Sequence, residues 1–334
     1  MWYYIREEQV KENAMDPQKL IDLLTGHKVY IQTHNFPDPD AIASAFGLQV
    51  FLKEHGIEAE ICYDGKIERL STRKMFDVFG IAVKNNEEIS AMKEDDYIVC
   101  VDSQKYNTNL TDFIGDEVAC IDHHPTFIQC EYHYKDVRIV GACASLIAEY
   151  FFVTKTPMDS NLAAALSYGI KMDTADFIRG TTDLDIDMFS YVYHLADKMK
   201  ISEMYSNVME LDDLKAFAAA IESIKVYDNI GFARIPFDCP DGLIAIISDF
   251  ILSLGAIEVS IVYSLREDGI KFSVRSEIPQ SIDAGVLTRK ALSGIGSGGG
   301  HKEMAGGFVN PEYKDTLEAH EIEKRFLAIV ESIK

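Results

Sequence analysis

Three near-continuous apolar runs early in the chain each break off into acidic or histidine residues. Val29-Tyr30-Ile31 leads into His34-Asn35-Phe36-Pro37-Asp38-Pro39-Asp40, Tyr97–Val101 ends at Asp102, and Val118–Ile121 ends in Asp122-His123-His124. Apolar runs of this kind are strands covered on both faces. Helical patterns over residues 41–55, 143–152 and 161–171 are interleaved with them. Strands alternating with helices predict βαβ units and a doubly wound, mainly parallel sheet. Such sheets bind ligands at the carboxyl ends of their strands, where these polar clusters fall.

The first of those clusters carries one imidazole and two carboxylates between a strand and a helix. Pro37 and Pro39 are expected to hold the preceding residues extended, so that Asp38 and Asp40 face one way. The plain structural alternative makes Asp40 a helix N-cap and Asp38 a turn residue. Asp102 or Asp173 alone would likewise read as a solvated loop carboxylate. Taken together, His34, Asp38, Asp40, Asp102, Asp122, His123, His124 and Asp173 would converge on one rim. Five carboxylates that close repel one another and raise each other's pKa unless cations compensate. Oxygen and imidazole donors suit manganese, zinc or iron, so a metal centre is the expectation.

The remaining chain supplies a second domain. We expect a charged lead-in over 1–15, a metal-bearing domain over 16–195, a helical connector over 196–212 and a smaller α/β domain over 213–334. Residues 182–213 read as helical, with Asp183, Asp185 and Asp187 as a solvated helix start. Residues 211–226 read as a further helix, and Arg266-Glu267-Asp268-Gly269 as a hairpin turn. Gly294-Ile295-Gly296-Ser297-Gly298-Gly299-Gly300-His301 reads as a loop whose backbone amides close on an anion or nucleotide. A flexible linker is the alternative reading of the same run.

The net charge of −22 argues against a long nucleic-acid groove, which needs many Lys and Arg for the phosphates. Six scattered cysteines without a CxxC pair predict reduced thiols. The absence of a signal-peptide layout and of a long apolar run makes a cytoplasmic, membrane-free protein the expectation.

The motifs in their order resemble those of the DHH phosphoesterases: His34-x-x-Pro37-Asp38-x-Asp40, Asp102, Asp122-His123-His124 and Asp173. Gly298-Gly299-Gly300-His301 resembles the signature of the DHH-associated C-terminal domain. The resemblance implies a hydrolase holding two Mn2+ ions, with Mg2+ or Co2+ as substitutes, in a cleft between the two domains. By motif position one metal would take His34, Asp38 and Asp102, and the other Asp40, Asp102, His123 and Asp173. Asp122 would orient a histidine, and His124 would contact the scissile phosphate. Arg275, His301 and the Gly298–Gly300 backbone would hold the distal phosphate or nucleotide. Metals roughly 3.5–4 Å apart activate a bridging hydroxide for in-line displacement.

The implied substrates are small nucleotides: short oligoribonucleotides, 3′-phosphoadenosine 5′-phosphate, or linear and cyclic dinucleotides. No long duplex is expected as a partner, and a homodimer is the expected assembly on general grounds. Two other functions compete, a cyclic-dinucleotide-binding regulator with little turnover and a pyrophosphate or polyphosphate hydrolase. Two segments depart from the nano-RNase pattern, Ser103–Asn109 and Asp173-Thr174-Ala175-Asp176-Phe177-Ile178-Arg179. Neither departure touches the implied metal ligands.

Overall fold

The computed structural model describes residues 15–67, 70–206, 209–314 and 318–333. The lead-in over 1–14 lies outside the described residues. The chain divides into two compact units between Val208 and Met209.

In the first unit, six strands form one parallel sheet in the order β3-β2-β1-β4-β5-β6. They are β1 Val29–Thr33, β2 Ala59–Tyr63, β3 Lys84–Asn85, β4 Tyr97–Val101, β5 Asp116–Asp122 and β6 Tyr134–Val137. Every residue of β1 is buried, as expected of a central strand with both faces covered. Strand order reverses between β1 and β4, which pair in register from Val29↔Tyr97 to Thr33↔Val101. That reversal opens a crevice at the strands' carboxyl ends, and the chain leaves there as His34 from β1 and as Asp102 from β4. One face of the sheet carries the larger core, including Ile31, Val99 and Ile121. The other carries Tyr30, Cys62, Ile98, Cys100 and Cys120. All six cysteines are free thiols.

Four helices bear on the site. Helix α2 (Pro39–Glu54) starts with Pro at its first position, where no intrahelical donor is lost. Helix α4 spans Cys143–Thr154, α5 spans Ser160–Asp173 and α6 spans Asp183–Leu195. Helix α1 (Pro17–Leu24) and helix α3 (Leu70–Phe79) precede β1 and β3, and α7 is Lys198–Met204. Helices α2 and α5 meet so closely that a Cβ on Gly169 would lie 2.7 Å from the Ala43 Cβ.

The second unit has a mixed sheet in the order β11-β12-β10-β9-β8-β7. Its strands are β7 Lys225–Tyr227, β8 Ile230–Ile235, β9 Val259–Arg266, β10 Gly269–Ser276, β11 Gly296–Gly300 and β12 Met304–Val309. Only the β8–β9 pairing is parallel. Helices α8 (Asp213–Ser223), α9 (Asp241–Leu252), α10 (Ala284–Ala291), α11 (Pro311–Lys314) and α12 (Ala319–Ile333) complete it. No helix among the described residues is long and apolar enough to cross a membrane.

Several sequence expectations are corrected. Residues 182–213 are not one helical stretch, because α6 ends at Leu195 and α7 follows separately. The helix expected over 211–226 stops at Ser223, and Lys225–Tyr227 pairs with β8 instead. The glycine run is not a loop. Five of its residues form edge strand β11 along β12, with Gly298 opposite Gly307 and Gly299 opposite Gly306. Packing requires some of these glycines. A Cβ at Gly296 would sit 2.0 Å from the Phe308 carbonyl oxygen, and one at Gly298 would sit 2.7 Å from Thr288 Cγ2.

Candidate metal centre

The β1–α2 turn departs from the extended chain expected of it. Asp38 is extended, as the following Pro39 demands, with φ −97° and ψ −178°. Phe36 is not: despite Pro37 its φ is +57°. Asp40 is already inside α2, and Asp38 is the N-cap. Asp38 Oδ1 accepts from the Asp40 and Ala41 amides at 2.9 and 3.1 Å.

Both ligand-type histidines are pinned by backbone carbonyls. His34 Nδ1 lies 2.8 Å from the Asn35 oxygen, and His123 Nδ1 lies 3.0 Å from the Val140 oxygen. A carbonyl only accepts, so each Nδ1 carries the hydrogen and each Nε2 presents a lone pair. His34 Nε2 faces Asp102 Oδ2 at 3.6 Å. His123 Nε2 faces Asp102 Oδ1 and Asp173 Oδ2, each at 3.2 Å.

Asp40 is buried at the start of α4. Its Oδ2 accepts from the Cys143 amide at 2.7 Å and its Oδ1 from the Ala144 amide at 2.9 Å. Asp102 is also buried and takes a left-handed φ of +57° as it leaves β4. Asp173 is the last residue of α5, where the helix dipole disfavours a carboxylate. Asp122 is fully buried. One of its oxygens accepts from the His123 amide at 2.8 Å and faces His124 Nδ1 at 2.9 Å. The other accepts from Gln104 Nε2 at 2.6 Å. His124 Nε2 is left as the free end of a partly exposed ring.

Three ligand sets follow, each with donor atoms within 4.8 Å of one another. They are His34 with Asp38 and Asp102, Asp40 with His123 and Asp173, and Asp102 with His123 and His124. Seven of the eight residues picked out in the first domain lie in these sets, and Asp122 joins them through its contacts with His123 and His124.

Electrostatics make the cluster unfavourable without cations. Burial, then the charges of Asp102 and Asp173, hold the Asp40 carboxyl well above the usual carboxylate range. Burial and the Asp38 charge push Asp173 up to about 6. For His123, burial favours the neutral ring, but the close Asp102 carboxylate outweighs it, with Asp40 and Asp173 adding to the effect, and raises the pKa. His124 and Asp122 behave as an ion pair. Burial opposes both charges, yet their mutual hydrogen bond raises the histidine and lowers the aspartate.

The donor set fits divalent metals on two observations. Asp102 Oδ1 and His123 Nε2 are buried without a hydrogen-bond partner, a costly state for polar atoms. The same residues lie in the ligand sets, and their oxygen and imidazole chemistry suits Mn2+.

Strain collects around this centre. Among the described residues, eight non-glycine positions have positive φ, and six of them are Phe36, Asp102, Tyr106, Ala175, Asp176 and Phe177. Each costs roughly 1–2 kcal/mol, and each lies within four residues of a cluster residue or is one.

Sequence reasoning missed two supporting residues. Gln104 is buried, and besides Asp122 it donates to the His124 carbonyl at 3.0 Å. Asp185 is no solvated helix start, because it is fully buried. It accepts from the Gly141 and Ala142 amides, Ser145 Oγ and the Thr182 amide and hydroxyl. It thereby fixes the turn that opens α4, whose amides hold Asp40. The Thr182-x-x-Asp185 spacing is a capping box, and that signal was present in the sequence.

In the second unit, Arg275 lies opposite Met304 and Gly300 opposite Ala305, so Arg275 and His301 share one end of that sheet. Arg275 Nε donates to Asp249 Oδ1 at 2.6 Å, and His301 is exposed.

A parallel sheet with a carboxylate–histidine cluster fit for divalent metals at its switch point defines a class of α/β proteins. Residues 28–170 match the DHH family, N-terminal domain, and residues 228–326 match the DHHA1 domain. This chain belongs to the DHH family and carries a C-terminal DHHA1 domain.

The chain is similar to an uncharacterized protein of Methanocaldococcus jannaschii, with 30% identity over 82% of this chain and 56% of that one. It is 25% identical to the cyclic-di-AMP phosphodiesterase PdeA of Listeria monocytogenes, over 94% of this chain and 49% of that one. It is 28% identical to the manganese-dependent inorganic pyrophosphatase of M. jannaschii, over 54% of this chain and 60% of that one. The chain thus spans about half the length of the curated relatives it matches. An exopolyphosphatase-related protein from Bacteroides fragilis shares the fold at a TM-score of 0.73 and 20% identity, covering 94% of this chain and 96% of that one.

Proposed function

We propose that this chain is a manganese-dependent phosphodiesterase of small nucleotides, with linear and cyclic dinucleotides as its favoured substrates. The observation that carries this reading is the meeting of two ligand sets beside Asp102, whose buried Oδ1 has no hydrogen-bond partner. His34, Asp38 and Asp102 would hold one divalent ion, and Asp40, Asp102, His123 and Asp173 the other. When bound, the pair would polarise the phosphoryl oxygens and lower the pKa of the attacking water.

The chain's own residues would do the rest. Asp122, braced by Gln104, holds His124 by Nδ1, and although burial opposes it their hydrogen bond raises the pKa of that ring. The free Nε2 end then offers a proton and positive charge to a phosphate or leaving oxygen. Arg275, His301 and the amides of Gly298–Gly300 would bind the distal part of the nucleotide.

The extent of the similarities favours a nucleotide over pyrophosphate. The cyclic-di-AMP phosphodiesterase matches over 94% of this chain, the pyrophosphatase over 54%. The test is chromatographic product analysis with Mn2+, offering cyclic di-AMP, pApA, 3′-phosphoadenosine 5′-phosphate, an RNA five-mer and pyrophosphate side by side. Cleavage of a dinucleotide ahead of the others is expected. Cleavage of pyrophosphate alone, or of nothing, would overturn the reading.

A further inference from the structure

We propose that Phe36 is a stacking platform for a nucleobase of the substrate, placed beside the metal centre by a strained turn. The proposal rests on the nucleotide reading above and names the residue that would recognise the base.

Phe36 sits between His34 and Asp38, and its side chain is 56% exposed. An exposed phenyl ring in water has no packing reason to be fixed in the turn between His34 and Asp38. This one is nevertheless held there. Its φ of +57° is a region that bulky residues avoid, and the following proline disfavours a helical backbone further. Strain of this kind persists only where the surroundings enforce it, and it gathers at ligand sites.

The enforcing contacts are visible. The Phe36 amide donates to the Asp64 carbonyl at 3.2 Å, and the Asn35 amide donates to the Asn109 carbonyl at 2.7 Å. Asn35 and Thr111 exchange two further hydrogen bonds, at 3.0 and 3.2 Å, and the Thr111 hydroxyl donates to Asp64 Oδ2. The ring rests on Gly65. A Cβ there would lie 3.0 Å from Phe36 Cε1 and Cζ. Gly65 is in turn held by Asn85, whose Nδ2 donates to its carbonyl at 2.8 Å. One side of the ring is thus seated on a fixed backbone while much of the ring stays open to solvent.

An open aromatic face on the turn that carries His34 and Asp38 suits a flat, apolar-faced group carried on the same molecule as the phosphate, which is a nucleobase. Stacking of this kind discriminates base from no base and tolerates any base. Pyrophosphate and polyphosphate offer nothing to it.

The experiment compares pApA with the same molecule carrying abasic riboses, in Mn2+, for wild type, Phe36→Ala and Phe36→Trp. Wild type is expected to prefer the base-bearing substrate by tenfold or more in kcat/KM, chiefly through KM. Phe36→Ala is expected to lose most of that preference, and Phe36→Trp to keep it. An unchanged preference in Phe36→Ala would overturn the proposal. A second readout is independent of turnover. Quenching of a 2-aminopurine analogue of pApA on binding should fall in Phe36→Ala and persist in Phe36→Trp. If wild type hydrolyses no nucleotide, the phosphodiesterase reading fails by itself. Quenching lost in Phe36→Ala would then still uphold the platform, and quenching equal in all three proteins would overturn it.

Discussion

The acidic cluster of the first unit and the glycine strand of the second both carry binding signatures in sequence, yet their surroundings treat them differently. At the cluster, neighbouring atoms leave needs unmet. Asp102 Oδ1 and His123 Nε2 are buried without a hydrogen-bond partner, and Asp173 ends a helix whose dipole repels its charge. In β11, neighbouring atoms already account for glycine at positions 296 and 298, because β12 and Thr288 leave no room for a Cβ. A motif whose chemistry the fold does not satisfy points outward, to a ligand. A motif whose residues the fold explains needs separate proof of a ligand.

The largest effect should come from breaking the unsatisfied side. Asp102→Asn is expected to lower kcat at least about 10³-fold, some 4 kcal/mol in the barrier. Its denaturant midpoint in metal-free buffer should match or exceed that of wild type, since one of several mutually repelling charges is gone. Wild-type turnover in this variant would end the metal assignment. A large loss of metal-free stability would show that Asp102 has a structural partner after all.

Next in size is Asp185, which belongs to the satisfied class although it serves the cluster. Its carboxylate accepts from Gly141, Ala142, Ser145 and Thr182. Asp185→Ala leaves those donors unpaired and should cost about 2–4 kcal/mol in urea melts. Because the same turn supplies the amides that hold Asp40, Mn2+ affinity should fall along with stability. Weaker metal binding at full stability would place Asp185 among the ligands instead.

The glycine strand gives the third and smaller effect. Gly298→Ala should destabilise by about 1–3 kcal/mol through overpacking. Adding Thr288→Ser removes the Cγ2 methyl that the new Cβ meets, while keeping the hydroxyl that donates to the Ala284 carbonyl. The double variant should recover part of the loss, a coupling that a thermodynamic cycle measures. A Gly298→Ala protein of unchanged stability but weaker nucleotide binding would move β11 to the side of the cluster.

These contrasts also explain what the sequence made legible. The sheet, its parallel sense and the rim of ligands were readable because apolar runs and motif residues are local features. The turn geometry was not. Pro37 predicts an extended Phe36, but hydrogen bonds to Asp64 and Asn109, distant in sequence, impose the opposite. Strand β6 escaped because Tyr134-Lys135-Asp136-Val137 has little apolar character, and its buried Asp136 is compensated by Arg138 at 2.7 Å. The glycine run was misread as a loop because a strand without side chains has no periodicity to detect. Asp185 looked solvated because the partners that bury it, Gly141, Ala142 and Ser145, lie some forty residues away.

The smallest expected effect is a pH slope, and it tests the idea that the cluster is unsatisfied without metal. Burial and neighbouring carboxylates raise Asp173 from 3.8 to about 6 in the fold. Between those values the folded protein binds more protons than the unfolded chain. The contribution of Asp173 to metal-free stability should therefore fall as pH rises through that window and be complete above it. The slope attributable to Asp173 is at most about 1 kcal/mol per pH unit, reduced by the partial exposure of the side chain. Asp173→Asn should flatten this part of the profile. Metal binding has the opposite sign, because a cation must displace the proton. Apparent Mn2+ affinity should rise with pH through that window as Asp173 ionises, and go on rising above it as Asp40 and His123 give up their protons. A metal-free protein whose stability rises from pH 4 to 6 would mean that Asp173 is already satisfied by the chain, and the contrast with the glycine strand would collapse at that residue.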